Sequence, residues 1–147
     1  MSLSKLIEVT PIECFDALIE SLRTEGLPHS DLSEPGRAFW QLSQNGQVIG
    51  YAGAEGLTGD RLLRSFVLSP PHRSKGYGSA ALAAIEQHLA AQGVRTLHLL
   101  TTTAAPFFLR HGFVSHPRAS APDTIKQSLE FSELCPSTAA YLAKTLS

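Results

Sequence analysis

The sequence predicts an α+β fold, a mixed and mostly antiparallel sheet with helices on both faces. Two observations carry this reading. Residues 37–69 hold three apolar stretches in quick succession, "RAFWQLS", "QVIGYAGAE" and "RLLRSFVLS", joined by short turns. A helix pattern from Ser79 to Gln92 then separates "RLLRSFVLS" from "VRTLHLL", which points to parallel neighbours joined by a crossover. At 147 residues, 43% hydrophobic and 17% charged, the chain fits a single domain over residues 1–147.

Taken in order, Leu6 to Val9 is the first strand candidate. "TPIECFDALIESLRTEG" reads as a helix, with Thr10 as N-cap, Pro11 at the first helical position and Glu13 completing a capping box. Phe15, Leu18 and Leu22 share one face, and Gly26 ends it. Asn45-Gly46 is a tight-hairpin signal between the next two strands, "LTGD" turns into the third, and Pro70-Pro71 stops the meander. In the helix that follows, Leu82, Ile85 and Leu89 form the apolar stripe and Gly93 is the stop. "APFFLRHG" is a short helix with Pro106 in its first turn, and Phe113-Val114 starts another strand. Pro122 to Phe131 is a further helix candidate, and "AAYLAKTL" a weak last strand.

Composition narrows the partners. The formal net charge of -1 provides no global field toward nucleic acid or an anionic membrane, so neither is expected. No apolar run approaches a membrane span, and Glu8 and Glu13 interrupt any leader-like stretch, so a cytoplasmic location is expected. Cys14 and Cys135 lie far apart and match neither a disulfide framework nor a zinc pattern; two packed thiols and no metal are expected.

The chemistry-bearing stretch is "HRSKGYGSAAL", His72 to Leu82. A strand, a Gly-containing loop and a helix start make an anion site, because first-turn N–H groups lack helical acceptors and the helix dipole favours negative charge. Arg73 and Lys75 add charge, and Gly76 and Gly78 allow close approach. A Walker A loop is excluded because Lys75 precedes Gly76 and no Ser or Thr is placed to hold magnesium. The dinucleotide fingerprint fails because Ala81 takes its third glycine position and a meander comes first. A plain loop with a glycine cap remains the alternative.

At "FVLSPPHRSKGYGSAAL" the sequence resembles the GNAT superfamily of acetyl-CoA-dependent N-acetyltransferases, with Arg73, Gly76 and Gly78 at the defining loop positions. "AAPFFLRHGF" resembles that family's later helix-to-strand segment, and the two lie in the family's order. The resemblance implies a GNAT-like sheet in which a bulged strand splays from its parallel neighbour to form the acetyl-CoA cleft. It implies that the backbone of Ser74, Lys75, Gly76, Tyr77, Gly78 and Ser79 cradles the coenzyme pyrophosphate. Phe66, Val67 and Leu68 would run beside the pantetheine arm, and Phe107 and Phe108 would line the thioester end. A small-molecule amine is the implied acceptor; direct attack in a ternary complex is expected because neither cysteine lies in the matched motifs, and a monomer or homodimer is expected.

One position departs from the pattern. Many family members have a tyrosine five residues before the last Phe of the second segment, able to protonate the leaving thiolate; here it is Phe108. A hydroxyl of Thr101, Thr102 or Thr103, or water, is the substitute. Glu55 is the candidate general base, with a solvated edge carboxylate as the alternative, and His111 and His72 are weaker candidates. "TTTAAPFF" and the tail "EFSELCPSTAAYLAK" resemble the arsenic-resistance N-acetyltransferase branch, which implies detoxification of amino-acid-like organoarsenicals. Arg64 would then take the acceptor carboxylate; a surface-facing strand arginine is its alternative. Two other functions stay open: a non-catalytic acyl-CoA-binding or sensing module, suggested by Phe108, and arsenical capture by the two thiols.

Overall fold

The computed structural model describes residues 7–12, 15–27, 36–56, 59–69, 76–127 and 139–146. Seven strands, β1 (Glu8–Pro11), β2 (Arg37–Gln44), β3 (Gln47–Glu55), β4 (Asp60–Leu68), β5 (Thr96–Thr101), β6 (Val114–His116) and β7 (Ala140–Thr145), form one sheet. Their order is β1-β2-β3-β4-β5-β7-β6, and β4–β5 is the parallel pair. β2 to β4 are the expected meander. Asn45 and Gly46 turn the hairpin with φ of 52° and 79°, the type I′ pattern that matches strand twist. The helix α2 (Tyr77–Ala91) makes the crossover to β5.

The N-terminal expectation needs correction. Thr10 and Pro11 do not open a helix; they end β1, where Pro11 stands opposite Trp40. β1 is the outer strand of the sheet, where a missing N–H is tolerated. The helix α1 (Asp16–Thr24) begins later, with Asp16 in its first turn, and Glu13 lies outside the described residues. The last strand is also stronger than it reads. β7 lies inside the sheet, antiparallel to both β5 and β6, with Tyr141 and Leu142 buried.

Helix ends follow the glycines. α1, α2 and α3 (Ala105–Arg110) are each followed by a glycine at positive φ, namely Gly26, Gly93 and Gly112. The next residue, Leu27, Val94 or Phe113, donates its N–H back to Leu22, Leu89 or Phe108 in Schellman closures. Of the expected helix from Pro122, the described part is α4 (Asp123–Lys126); its continuation lies outside the described residues.

Each face of the sheet has its own cover. Leu82, Ile85 and Leu89 of α2 pack with Leu63, Leu97, Leu99 and Phe108 on one face. Leu18 and Leu22 of α1 pack with Phe39 and Val67 on the other, where Ile125 of α4 joins Leu62 and Tyr141. Gly53 lets the Phe39 ring lie close, since a Cβ there would stand 2.4 Å from it. Gly53→Ala should cost about 1–3 kcal/mol by overpacking. Urea denaturation measures it, and an unchanged midpoint would show that Phe39 moves aside freely.

Candidate functional site

The site begins where β4 and β5 part. Their register runs Asp60↔Thr96, Arg61↔Leu97 and Leu62↔His98 and ends there, while β4 continues to Leu68 and β5 to Thr101. A bulge in β4 accompanies the parting. Tyr51 opposes Val67 and Gly53 opposes Arg64, three steps on β4 against two on β3. Ser65, buried, takes a φ of 56°, a region unusual for a residue with a Cβ. The extra residue resets the alternation: Arg64 and Val67 both face the α1 side, whereas Phe66 and Leu68 pack toward α2 and α3. Bulges bend and twist their strand, and here the bend leads β4 away from β5 to leave a wedge within the sheet.

The first turn of α2 closes the wide end of the wedge. Gly76 is its N-cap, left-handed at φ 81°. A Cβ on Gly78 would stand 3.1 Å from the Phe107 ring and 3.6 Å from Leu68, so this turn rests against α3 and the end of β4. Phe66 lies 6.3 Å from Phe107 and 6.0 Å from Phe108, ring centre to ring centre. Gly76, Tyr77, Gly78, Ser79, Phe66, Leu68 and Phe107 therefore come together. The Val67 side chain turns instead into the core under α1. Phe108 is enclosed, 5.1 Å from Phe107 and 5.4 Å from Phe113, and buried. His72, Arg73, Ser74 and Lys75 lie outside the described residues, as do Cys14 and Cys135.

His111 is tied to that first turn. Its Nδ1 lies 2.7 Å from the Phe107 carbonyl, to which it can only donate, so a neutral ring accepts the Ser79 hydroxyl at Nε2, also 2.7 Å. The Thr101 hydroxyl accepts the Ala104 N–H at 2.9 Å and so fixes the turn that leads into α3.

Two polar clusters occupy the α1 side. In the first, Glu55 Oε1 is 3.3 Å from Arg64 Nη1 and its Oε2 is 3.5 Å from Arg37 Nη2. Arg64 Nε also stands 3.4 Å from the Ser65 hydroxyl, and its guanidinium lies 5.7 Å from the Phe39 ring centre. The side chains of Arg64, Arg37 and Glu55 are only 0%, 8% and 10% exposed, so the surface-exposed alternatives for Glu55 and Arg64 do not hold. The sequence reading chose both residues but missed Arg37, which reads only as a strand start.

The second cluster escaped the sequence reading altogether. His98 Nε2 is 2.7 Å from Asp60 Oδ1, and its Nδ1 is 2.7 Å from the Tyr141 hydroxyl. Burial, and then the charge of Asp60, raise the Tyr141 pKa above its usual value. The available signal was one histidine in the otherwise apolar run "LHLL". Among the described residues no three His, Cys, Asp or Glu side chains group so as to hold a metal, and no helix is long and apolar enough to cross a membrane.

The Acetyltransferase (GNAT) family matches residues 5–113, most of the chain and all of the wedge. The chain belongs to the GNAT family. Solved structures share the fold. N-acetylglutamate synthase from Neisseria gonorrhoeae, complexed with coenzyme A and N-acetyl-glutamate, aligns with a TM-score of 0.74 at 19% identity, over 96% of this chain and 35% of that one. This GNAT chain thus spans about a third of that relative's length. An acetyltransferase of the GNAT family from Staphylococcus aureus aligns at 0.70 with 15% identity, covering 96% and 99% of the two chains. The ribosomal-protein-S18-alanine N-acetyltransferase from Escherichia coli aligns at 0.66 with 19% identity, covering 96% and 94%. No curated protein matches the sequence.

A buried charge left without its partner is costly. Glu55→Gln should therefore destabilise the fold by about 3–5 kcal/mol. Glu20→Gln, in the exposed pair with Arg23, is the control and should change little. Equal small losses in chemical denaturation would show that Arg37 and Arg64 do not depend on Glu55.

Proposed function

We propose that this chain moves the acetyl group of acetyl-CoA to a primary amine of a small molecule. The observation that carries this reading is the wedge beyond Leu62↔His98, with the first turn of α2 at its wide end. N–H groups of Gly78 and Ser79, with the loop from Arg73 to Lys75, suit a pyrophosphate. The backbone of Phe66, Val67 and Leu68 borders the side of β4 that β5 has left, and suits the pantetheine amides as an added strand. Gly78 fits this role because a side chain would fill the cradle against Phe107. When bound, acetyl-CoA supplies an electrophilic thioester carbon and a thiolate leaving group. Phe66 and Phe107 give that end an apolar wall, with Phe108 behind them.

On the acceptor side, Arg64 suits a carboxylate, which favours an amino-acid-like amine; an organoarsenical amino acid is the specific case that the "TTTAAPFF" likeness suggests. Glu55 can serve as base once that carboxylate draws Arg64 away from it. Attack is direct, since neither cysteine lies in the family-like segments. Phe108, with no hydroxyl to offer, favours one other reading, a module that binds acyl-CoA without turnover.

A panel of amines that includes arsenical and phosphinic amino acids, read by thiol release, separates the two. The enzyme reading expects at least one acceptor to raise release far above thioester hydrolysis. Binding of coenzyme with silence across the panel would support the sensor. Gly78→Val should weaken coenzyme binding by about 1–3 kcal/mol, through lost backbone contacts and crowding at Phe107. Calorimetry on the folded variant with unchanged affinity would remove this turn from the site.

A further inference from the structure

We propose that the Ser65 hydroxyl is the proton shuttle of acetyl transfer, taking a proton from the attacking nitrogen as it gives its own to the departing coenzyme A sulfur. The inference rests on the acetyltransferase reading. Its first ground is the place of Ser65. The register with β5 ends at Leu62↔His98, and Ser65 lies on the stretch of β4 beyond it, within the wedge. Leu68, where β4 ends, stands beside Gly78. A coenzyme held by its pyrophosphate at the first turn of α2 therefore runs its arm back along β4 toward the vertex. Its thioester arrives at the bulge, between Phe66, which packs toward α2 and α3, and Arg64, which faces the α1 side with Glu55. Ser65 is the residue between these two.

The second ground is what this hydroxyl has left to offer. Ser65 is 8% exposed, and its φ of 56° is one that glycine holds more readily. A serine kept there gives up some stability and adds one functional group. A hydroxyl has two lone pairs and one hydrogen. Arg64 Nε reaches one lone pair at 3.4 Å. Among the described residues no acceptor takes the hydrogen. One lone pair and the hydrogen remain, which is what a shuttle between a nitrogen and a sulfur needs. The guanidinium N–H also polarises the O–H and makes it a better donor. Nearby hydroxyls are placed for other work. Ser79 is held by His111, the Thr101 oxygen accepts the Ala104 N–H, and Thr102 and Thr103 are exposed on the turn. Phe108 has no hydroxyl at all.

The protons balance as follows. Glu55 takes one proton from the acceptor ammonium. The amine lone pair forms the C–N bond to the thioester carbon, so that nitrogen and sulfur are joined to one carbon. A hydroxyl between them closes a small ring. One N–H proton passes to the Ser65 oxygen while the Ser65 proton passes to sulfur, and the C–S bond breaks with its electron pair on that sulfur. The amide and the coenzyme A thiol leave. Ser65 is again a hydroxyl and never an alkoxide, and Glu55 gives its proton to solvent as Arg64 returns to it.

The experiment compares Ser65→Ala and Ser65→Gly with the wild type in single turnovers, mixing the acetyl-CoA complex with the best acceptor of the amine panel and reading thiol release. Ser65→Ala keeps the Cβ and removes only the oxygen. Ser65→Gly suits the left-handed φ, so denaturation should find it no less stable than the wild type. In both variants the chemical step should slow about 100-fold, the low end of proton-transfer assistance, with little change in acetyl-CoA affinity. In H2O–D2O mixtures the wild-type rate should follow a curve, because two protons move in one step. A wild-type rate in either variant overturns the shuttle alone, and so does a straight line in the mixtures. A wild-type protein that acetylates no amine overturns the acetyltransferase reading and the shuttle with it.

Discussion

The rest of the structure depends on one interruption of backbone pairing, the point where β4 leaves β5. Two parallel strands inside a sheet gain by pairing along their whole shared length, because backbone groups kept from water need partners. Here the register stops at Leu62↔His98 although both strands run on. β3 helps to hold the distortion. Gly50 and Gly53 flank the bulge, and a Cβ on Gly50 would stand 2.3 Å from the Val67 carbonyl. Without side chains at these two places, the bulged strand presses against β3 and bends away from β5. The apolar layers on both faces supply the stability that this break gives up.

What the sequence revealed was local. Asn45-Gly46, the glycines after three helices and the glycine spacing at the start of α2 each act within a few residues, so each could be read without knowing the fold. Pro11 shows the limit. Its ring suits the first turn of a helix and the end of an outer strand equally well, and only the sheet decides. Nothing in "RLLRSFVLS" marks Ser65 as the bulge. The polar clusters depend wholly on register: His98 meets partners 38 and 43 residues away, and Glu55 draws arginines from both neighbouring strands. Glu55 and Arg64 were found by the chemistry that they offer. Their burial could not be read, because strand alternation does not say which face has a cover.

Leu62 organises what lies between the clusters. It opposes Glu55 on one side and His98 on the other, is fully buried, and packs with Ile125 and Tyr141. An apolar side chain thus separates the Glu55 cluster, dominated by guanidinium charge, from the hydrogen-bonded cluster of Asp60, His98 and Tyr141.

The placement of β7 carries a consequence for biosynthesis. β5 and β6 are translated before β7, yet β7 lies between them in the sheet. Until Ala140–Thr145 emerges, β5 has an open edge along Thr96–Thr101, all of which pairs with β7 in the finished sheet. Such non-local pairing is slow to form and leaves a nascent chain open to wrong edge-to-edge contacts. The meander from β2 to β4 can assemble early on the ribosome. The vertex with its full set of partners exists only after the segment carrying Tyr141 has been threaded into place.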